Sequence, residues 1–153
     1  MRLVVAEKPS MARAIADALG VTGKGRSYLQ GESGGQKLLI TWCVGHLVEA
    51  AEPESYGAKQ WSFATLPILP EQFQFRVNQQ TADQFAAVRG LLLRDDVTEI
   101  VNATDAGREG QLIFHLTYDL AGCTKNVVRL WTSSLTDDAI RDAWARMRPE
   151  SDY

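Results

Sequence analysis

The chain opens with an apolar run, Leu3-Val4-Val5-Ala6, that stops at Glu7-Lys8-Pro9-Ser10, and from Met11 to Leu19 apolar residues recur at helical spacing until Gly20. A short apolar run ending at a turn reads as a buried strand, and a helical spacing closed by glycine reads as a helix. Thr22 to Arg26 is glycine-rich and predicts a loop, whereas Tyr28-Leu29-Gln30 and Lys37 to Val44 flank Gly34-Gly35 as the arms of a hairpin. Residues 45–72 carry Pro53, Pro67 and Pro70 with little periodicity; they predict a long loop, followed by a short strand at Phe73 to Val77. Thr81-Ala82-Asp83-Gln84 has capping-box spacing and should start a helix through Phe85, Val88, Leu91 and Leu92. Glu99 to Thr104 reads as a buried strand, Arg108 to Leu120 as a helix stopped by Gly122, and Val127 to Trp131 as another strand. Thr136 is placed to cap a last helix with Asp137 and Asp138 in its first turn, and Arg148 to Tyr153 reads as a polar exit.

Strands alternating with helices imply parallel pairing and right-handed crossovers. The predicted fold is therefore a single α/β domain over residues 1–153, Rossmann-like, with a mostly parallel central sheet flanked by helices. Length and composition agree: 153 residues with 45% hydrophobic content can bury one sizeable core. The sequence has no 18-residue apolar run and no charged-then-apolar leader, so neither a membrane span nor a secretory signal is predicted and the cytoplasm is the expected location. Cys43 and Cys123 lack CxxC spacing and sit in apolar patterns, which predicts buried free thiols and excludes a structural zinc. The absence of GxGxxG and Walker patterns argues against a nucleotide-binding doubly wound domain.

Candidate chemistry gathers at two strand ends. In Ile100-Val101-Asn102-Ala103-Thr104-Asp105-Ala106-Gly107-Arg108-Glu109-Gly110-Gln111, an apolar strand stops at an acid and a turn presents Asp105, Arg108 and Glu109 before the next helix. Open α/β sheets place ligands at the carboxyl ends of their strands, and Glu7 stands at a second such end. Carboxylates converging from two strand ends suit a hard divalent cation, Mg²⁺ or Mn²⁺. Read from the residues alone, Glu7 either does such chemistry or favours the following helix electrostatically. Asp105 and Glu109 either hold an ion or pair with Arg108, and Lys8 is either a phosphate contact or a solvated turn residue. The net charge of −3 argues against an autonomous high-affinity DNA binder, fits a catalytic module whose grip on DNA lies elsewhere, and is equally ordinary for a soluble domain.

Four segments carry a resemblance: MRLVVAEKPSMARAIADALG, TWCVGHLVEAAEPESY, ATDAGREGQLI and VVRLWTSSLTDDAI. In this order and at these separations they resemble the Toprim domain of type IA DNA topoisomerases, the bacterial topoisomerase III group in particular. The resemblance implies an ATP-independent isomerase that cleaves and reseals single-stranded DNA through a 5′-phosphotyrosyl intermediate. It implies that Glu7 acts in proton transfer at the scissile phosphate, that Lys8 faces phosphate oxygens, that Arg108 orients the acids or touches phosphate, and that Glu7, Asp105 and Glu109 hold Mg²⁺, with Mn²⁺ as a substitute. For DNA contact it implies Lys8, His46 in the Gly-His turn, and Trp61. Without the resemblance, Arg108 serves equally as an internal salt bridge, His46 as a partner for loop backbone, and Trp61 as an anchor for the long loop; His115 reads as a packed or rim histidine.

Two departures stand out. The family's usual motif is DPDREG, and here Gly107 replaces the second Asp, which implies altered metal coordination rather than lost activity. None of Tyr28, Tyr56, Tyr118 and Tyr153 lies in the family's nucleophile motif. The resemblance therefore implies a piece of a longer topoisomerase, inactive by itself, whose partners are single-stranded DNA and the remaining gate and tyrosine domains. A free-standing Toprim protein, primase-like, nuclease-like or a recombination mediator, is the alternative.

Overall fold

The computed structural model describes residues 1–58 and 62–153. In chain order the elements are β1 (Arg2–Ala6), α1 (Pro9–Leu19), β2 (Gly23–Lys24), β3 (Tyr28–Ser33), β4 (Gln36–Trp42), β5 (Val48–Ala50) and β6 (Phe75–Val77). There follow α2 (Ala82–Leu92), β7 (Glu99–Ala103), α3 (Arg108–Ala121), β8 (Asn126–Arg129), α4 (Asp137–Ala145) and β9 (Arg148–Pro149), which leads into a final 3₁₀ turn at Glu150–Asp152.

Leu3 to Ala6 are buried whichever way they point, the pattern of a strand covered on both faces. β1 lies between β4 and β7 and runs parallel to both, and β7 pairs in parallel with β8. The sheet order is β2-β3-β4-β1-β7-β8-β9, with the outer strands β2, β3 and β9 paired antiparallel. Period-two alternation assigns each side chain to one of two cores. Leu3, Val5, Leu39 and Ile100 pack with Phe85, Val88, Leu92, Ile113 and Phe114 of α2 and α3. Val4, Ala6, Ile40, Val101 and Ala103 pack with Met11, Ile15 and Ile140 of α1 and α4. The α/β sandwich with parallel central strands is thus the predicted one.

Differences concentrate in two- and three-residue segments that are strands only through their pairing. The predicted loop over 45–72 contains β5, which joins β6 in a separate antiparallel pair. The predicted loop at 22–26 contains β2, and the polar exit contains β9. The strand predicted to reach Trp131 ends at Arg129. Gly20 and Gly122 do stop their helices, each with φ of 73° in the left-handed region open to glycine. The capping box at Thr81 does not form. A 3₁₀ turn precedes α2 with Asn78 Oδ1 accepting from the Gln80 N–H, while Gln84 Nε2 donates instead to the Trp42 carbonyl at 2.6 Å. Thr136 holds the N-cap position of α4, but its side chain makes no capping bond and lies against the Ser134 hydroxyl. Cys43 and Cys123 are buried and free, as predicted; burial pushes the Cys43 thiol up to about 12. No helix among the described residues is long and apolar enough to cross a membrane.

Candidate metal and phosphate site

Because β1, β7 and β8 are parallel, their carboxyl ends share one edge of the sheet. Ala6 is in register with Ala103, so the residues just past each strand, Glu7 and Thr104-Asp105, meet across that edge. The Asp105 N–H donates to Glu7 Oε2 at 3.2 Å, and Lys8 Nζ lies 3.4 Å from Asp105 Oδ2. Gly110 makes this approach possible: a Cβ there would stand 2.4 Å from the Asp105 carbonyl oxygen and 3.0 Å from Glu7 Oε2. The helix α3 therefore starts directly over the turn, with Gly107 as its N-cap and Glu109 in its first turn.

Beneath the turn lies Arg129, which is fully buried. Its Nη1 donates to the carbonyls of Asn102, Thr104 and Leu130 at 2.9 to 3.0 Å, and Nη2 donates to the Asp105 carbonyl at 2.8 Å. Burial pulls its pKa down to about 10, against the raising influence of Glu150, Tyr153, Asp105 and Glu7. The Asn102 side chain accepts from both the N–H and the hydroxyl of Thr104, and it donates to Glu150 and to Gln111. Gln111 Nε2 also donates to Glu150 at 2.8 Å and lies 3.0 Å from His115 Nε2. A polar network from Glu150 through Asn102 and Arg129 thus fixes the backbone that carries Asp105. Sequence reasoning missed Arg129, Asn102, Gln111 and Glu150 as support for the site. The available signal was a polar residue interrupting an apolar strand, Asn102 in IVNAT and Arg129 in VVRLW.

Of the predicted site residues, the structure brings Glu7, Lys8 and Asp105 together. Glu109 stands apart on an exposed helix turn, its Oε1 3.7 Å from His46 Nε2. His46, on the β4–β5 connection, is thereby set beside Glu109, and its own carbonyl accepts from Thr81 Oγ1 at 3.5 Å. Arg108 is exposed and in no ion pair among the described residues. His115 sits at the rim, half exposed against Glu150. Trp61 lies outside the described residues.

Among the described residues no three His, Cys, Asp or Glu side chains are gathered tightly enough to form a complete metal cage. Mg²⁺ does not require one, since it is commonly held by one or two carboxylates with waters and substrate phosphate completing the shell. Glu7 and Asp105 offer hard oxygen donors at adjoining strand ends, and the Glu7 carboxylate is already steered there by a backbone N–H. This donor set fits such an ion, with Glu109 one helical turn away.

The arrangement has relatives. A family model described as the Toprim domain matches residues 2–135. The chain is 48% identical to DNA topoisomerase 3 of Bacillus anthracis and 47% identical to that of Shouchella clausii. Each match covers 99% of this chain but only 20% and 21% of the relative, so the chain spans about a fifth of the length of the curated relatives it matches. Full-length topoisomerase I from Thermotoga maritima has a similar fold, with a TM-score of 0.60 at 19% identity over 96% of this chain and 21% of that one. With the family model matched from the first strand to the segment before α4, and with acid-bearing strand ends meeting as its parallel sheet requires, the chain belongs to the Toprim domain family.

Proposed function

We propose that this chain is the metal-binding part of a type IA DNA topoisomerase, acting in the cytoplasm on single-stranded DNA together with the remainder of a parent enzyme. The observation that carries the reading is the Glu7 carboxylate held on the Asp105 N–H at the junction of two strand ends, in a chain 48% identical to DNA topoisomerase 3 relatives. Mg²⁺ held by Glu7 and Asp105, joined by Glu109 if its exposed side chain swings over from His46, would neutralise charge at the scissile phosphate. Glu7, its Oε2 held by the Asp105 N–H, would pass a proton to the departing sugar oxygen on cleavage and take it back on resealing. Lys8 places an ammonium beside Asp105, where a phosphoryl oxygen would approach, and the uncapped N–H groups at the start of α3 face the same edge. Arg108, exposed at that helix start, is free to fork onto phosphate. In this reading His46, beside Glu109, and Trp61 also contact DNA. The attacking tyrosine belongs, in this reading, to the remainder of the parent, so this chain alone forms no covalent adduct with DNA.

The metal part is tested by calorimetric titration with Mg²⁺ and Mn²⁺. Wild type should bind weakly, because Gly107 contributes no carboxylate. Gly107→Asp should bind more tightly, since φ of −172° at that N-cap is open to any residue and the space around it is empty. Asp105→Ala should nearly abolish binding, and equal affinity in Asp105→Ala and wild type would refute the assignment of the turn. The catalytic part is tested by substituting this chain for the matching fifth of the Bacillus anthracis relative. The chimera should relax negatively supercoiled DNA and its Glu7→Ala version should not; full activity in the Glu7→Ala chimera removes the role given to Glu7.

A further inference from the structure

Just past the end of β8, the Trp131 and Tyr153 rings stack with centroids 5.2 Å apart and planes 15° from parallel. The Arg129 guanidinium carbon lies 5.0 Å from the centre of the Trp131 ring, which ties the ring pair to the arginine buried under the Asp105 turn. Beside the ring pair opens a cavity of about 240 Å³ lined by Trp131, Ala143, Arg146, Arg148 and Tyr153. Both residues are about half exposed, at 44% and 53%. Arg146 is held by Asp142 on its own helix, whereas Arg148 is exposed and in no ion pair among the described residues.

We propose that this cavity is a stacking subsite for one unpaired nucleotide of single-stranded DNA, its base against the Trp131–Tyr153 pair and its phosphate on Arg148. The inference rests on the function proposed above. Aromatic faces that accept any base, bordered by arginine for the backbone, are the recurring chemistry of single-strand recognition. The volume is below the roughly 300 Å³ at which pockets for drug-sized ligands begin, so it suits a single planar group. Its position is also the right one. Arg129 touches both the Trp131 ring and the Asp105 carbonyl, which sets the subsite next to the acidic turn on the same sheet edge. A bound nucleotide there fixes where the strand enters the site, separately from Lys8 and His46.

The test uses the 153-residue chain, a labelled oligothymidylate, an abasic strand of equal length and charge, and polyglutamate as a protein-like anion. Fluorescence anisotropy reads affinity, and the Trp131 indole N–H resonance, assigned with Trp131→Phe, reads location. Oligothymidylate should shift the Trp131 resonance and the abasic strand should not. Tyr153→Ala should weaken oligothymidylate binding about fivefold or more with little effect on the abasic strand. Arg148→Ala should weaken both strands alike and lower the salt dependence. A Trp131 resonance unmoved while oligothymidylate binds would overturn the subsite and leave the proposed function standing. Equal shifts from polyglutamate, or no binding of any strand, would also overturn it, and the Mg²⁺ titrations and the chimera would then judge the proposed function separately.

Discussion

Replacing Arg129 separates two accounts of why a charge is buried under the Asp105 turn. If the guanidinium serves as a fork that satisfies backbone carbonyls, lysine cannot replace it; if it serves as a positive charge facing Glu7, Asp105 and Glu150, lysine should. Arg129 makes four hydrogen bonds to the carbonyls of Asn102, Thr104, Asp105 and Leu130. Hydrogen bonds to a charged donor contribute about 1.5–3 kcal/mol each, and because Nη1 has two protons for three carbonyls the low end applies, about 6 kcal/mol in all. Against this stands the cost of burying the charge. A pKa pulled from 12.5 to about 10 corresponds, at about 1.4 kcal/mol per unit, to about 3 kcal/mol against the cation. Arg129→Leu removes both contributions and should cost about 3 kcal/mol. Arg129→Lys keeps the buried charge, is more strongly hydrated, and cannot span Asn102 and Asp105 with a single ammonium, so it should cost at least as much. Urea unfolding followed by circular dichroism measures both: with a slope of about 2 kcal/mol per molar, the midpoint should fall by about 1.5 M at unchanged slope. An Arg129→Lys protein within about 0.5 kcal/mol of wild type would refute the fork account.

Two glycines in helices should respond with opposite signs. Gly90 in α2 has open space where a Cβ would stand, and Gly90→Ala should stabilise the chain by about 0.5–1 kcal/mol. Gly110→Ala should destabilise it by about 1–3 kcal/mol despite the better helix former, because the methyl meets the Asp105 backbone and Glu7 Oε2; a Gly110→Ala protein more stable than wild type in thermal unfolding would contradict the close approach. The Cys43 thiol, raised from its ordinary 9.0 to about 12 by burial, keeps its proton in the folded chain when the unfolded chain has lost it. Its contribution is complete below about pH 9 and is lost as pH rises from there toward 12. Between about pH 8 and pH 10, wild type should therefore lose about 1.3 kcal/mol more than Cys43→Ala, and parallel stability curves would count against the buried thiol.

The sequence alone determined the elements whose signals are local. Leu3 to Ala6 is an apolar run long enough for a strand and too uniform for a surface, and Ile100 to Ala103 is one broken only by Asn102. Gly20 and Gly122 close their helices through a backbone conformation that glycine adopts at no steric cost. The alternation of such strands with helices forces parallel pairing, and parallel pairing carries Glu7 and Asp105 to one edge, so the centre of the site was legible in the chain itself. What remained required partners distant along the chain. β6 lies within the short strand expected at Phe73 to Val77, but β5 is three residues long and is a strand only because it pairs with β6 across an interval with no period of its own. Gln84 was spaced to cap its own helix and instead satisfies the Trp42 carbonyl, since a backbone acceptor from another strand lay within its reach. The support beneath the turn is the clearest case. Asn102, Gln111, Arg129 and Glu150 come from four different elements, and their meeting depends on the order β1-β7-β8-β9 and on α3 starting over the turn at Gly110. Spacing along a chain reports which face a residue takes; which buried carbonyls need a donor, and which distant side chain supplies it, is settled only when the strands have been laid side by side.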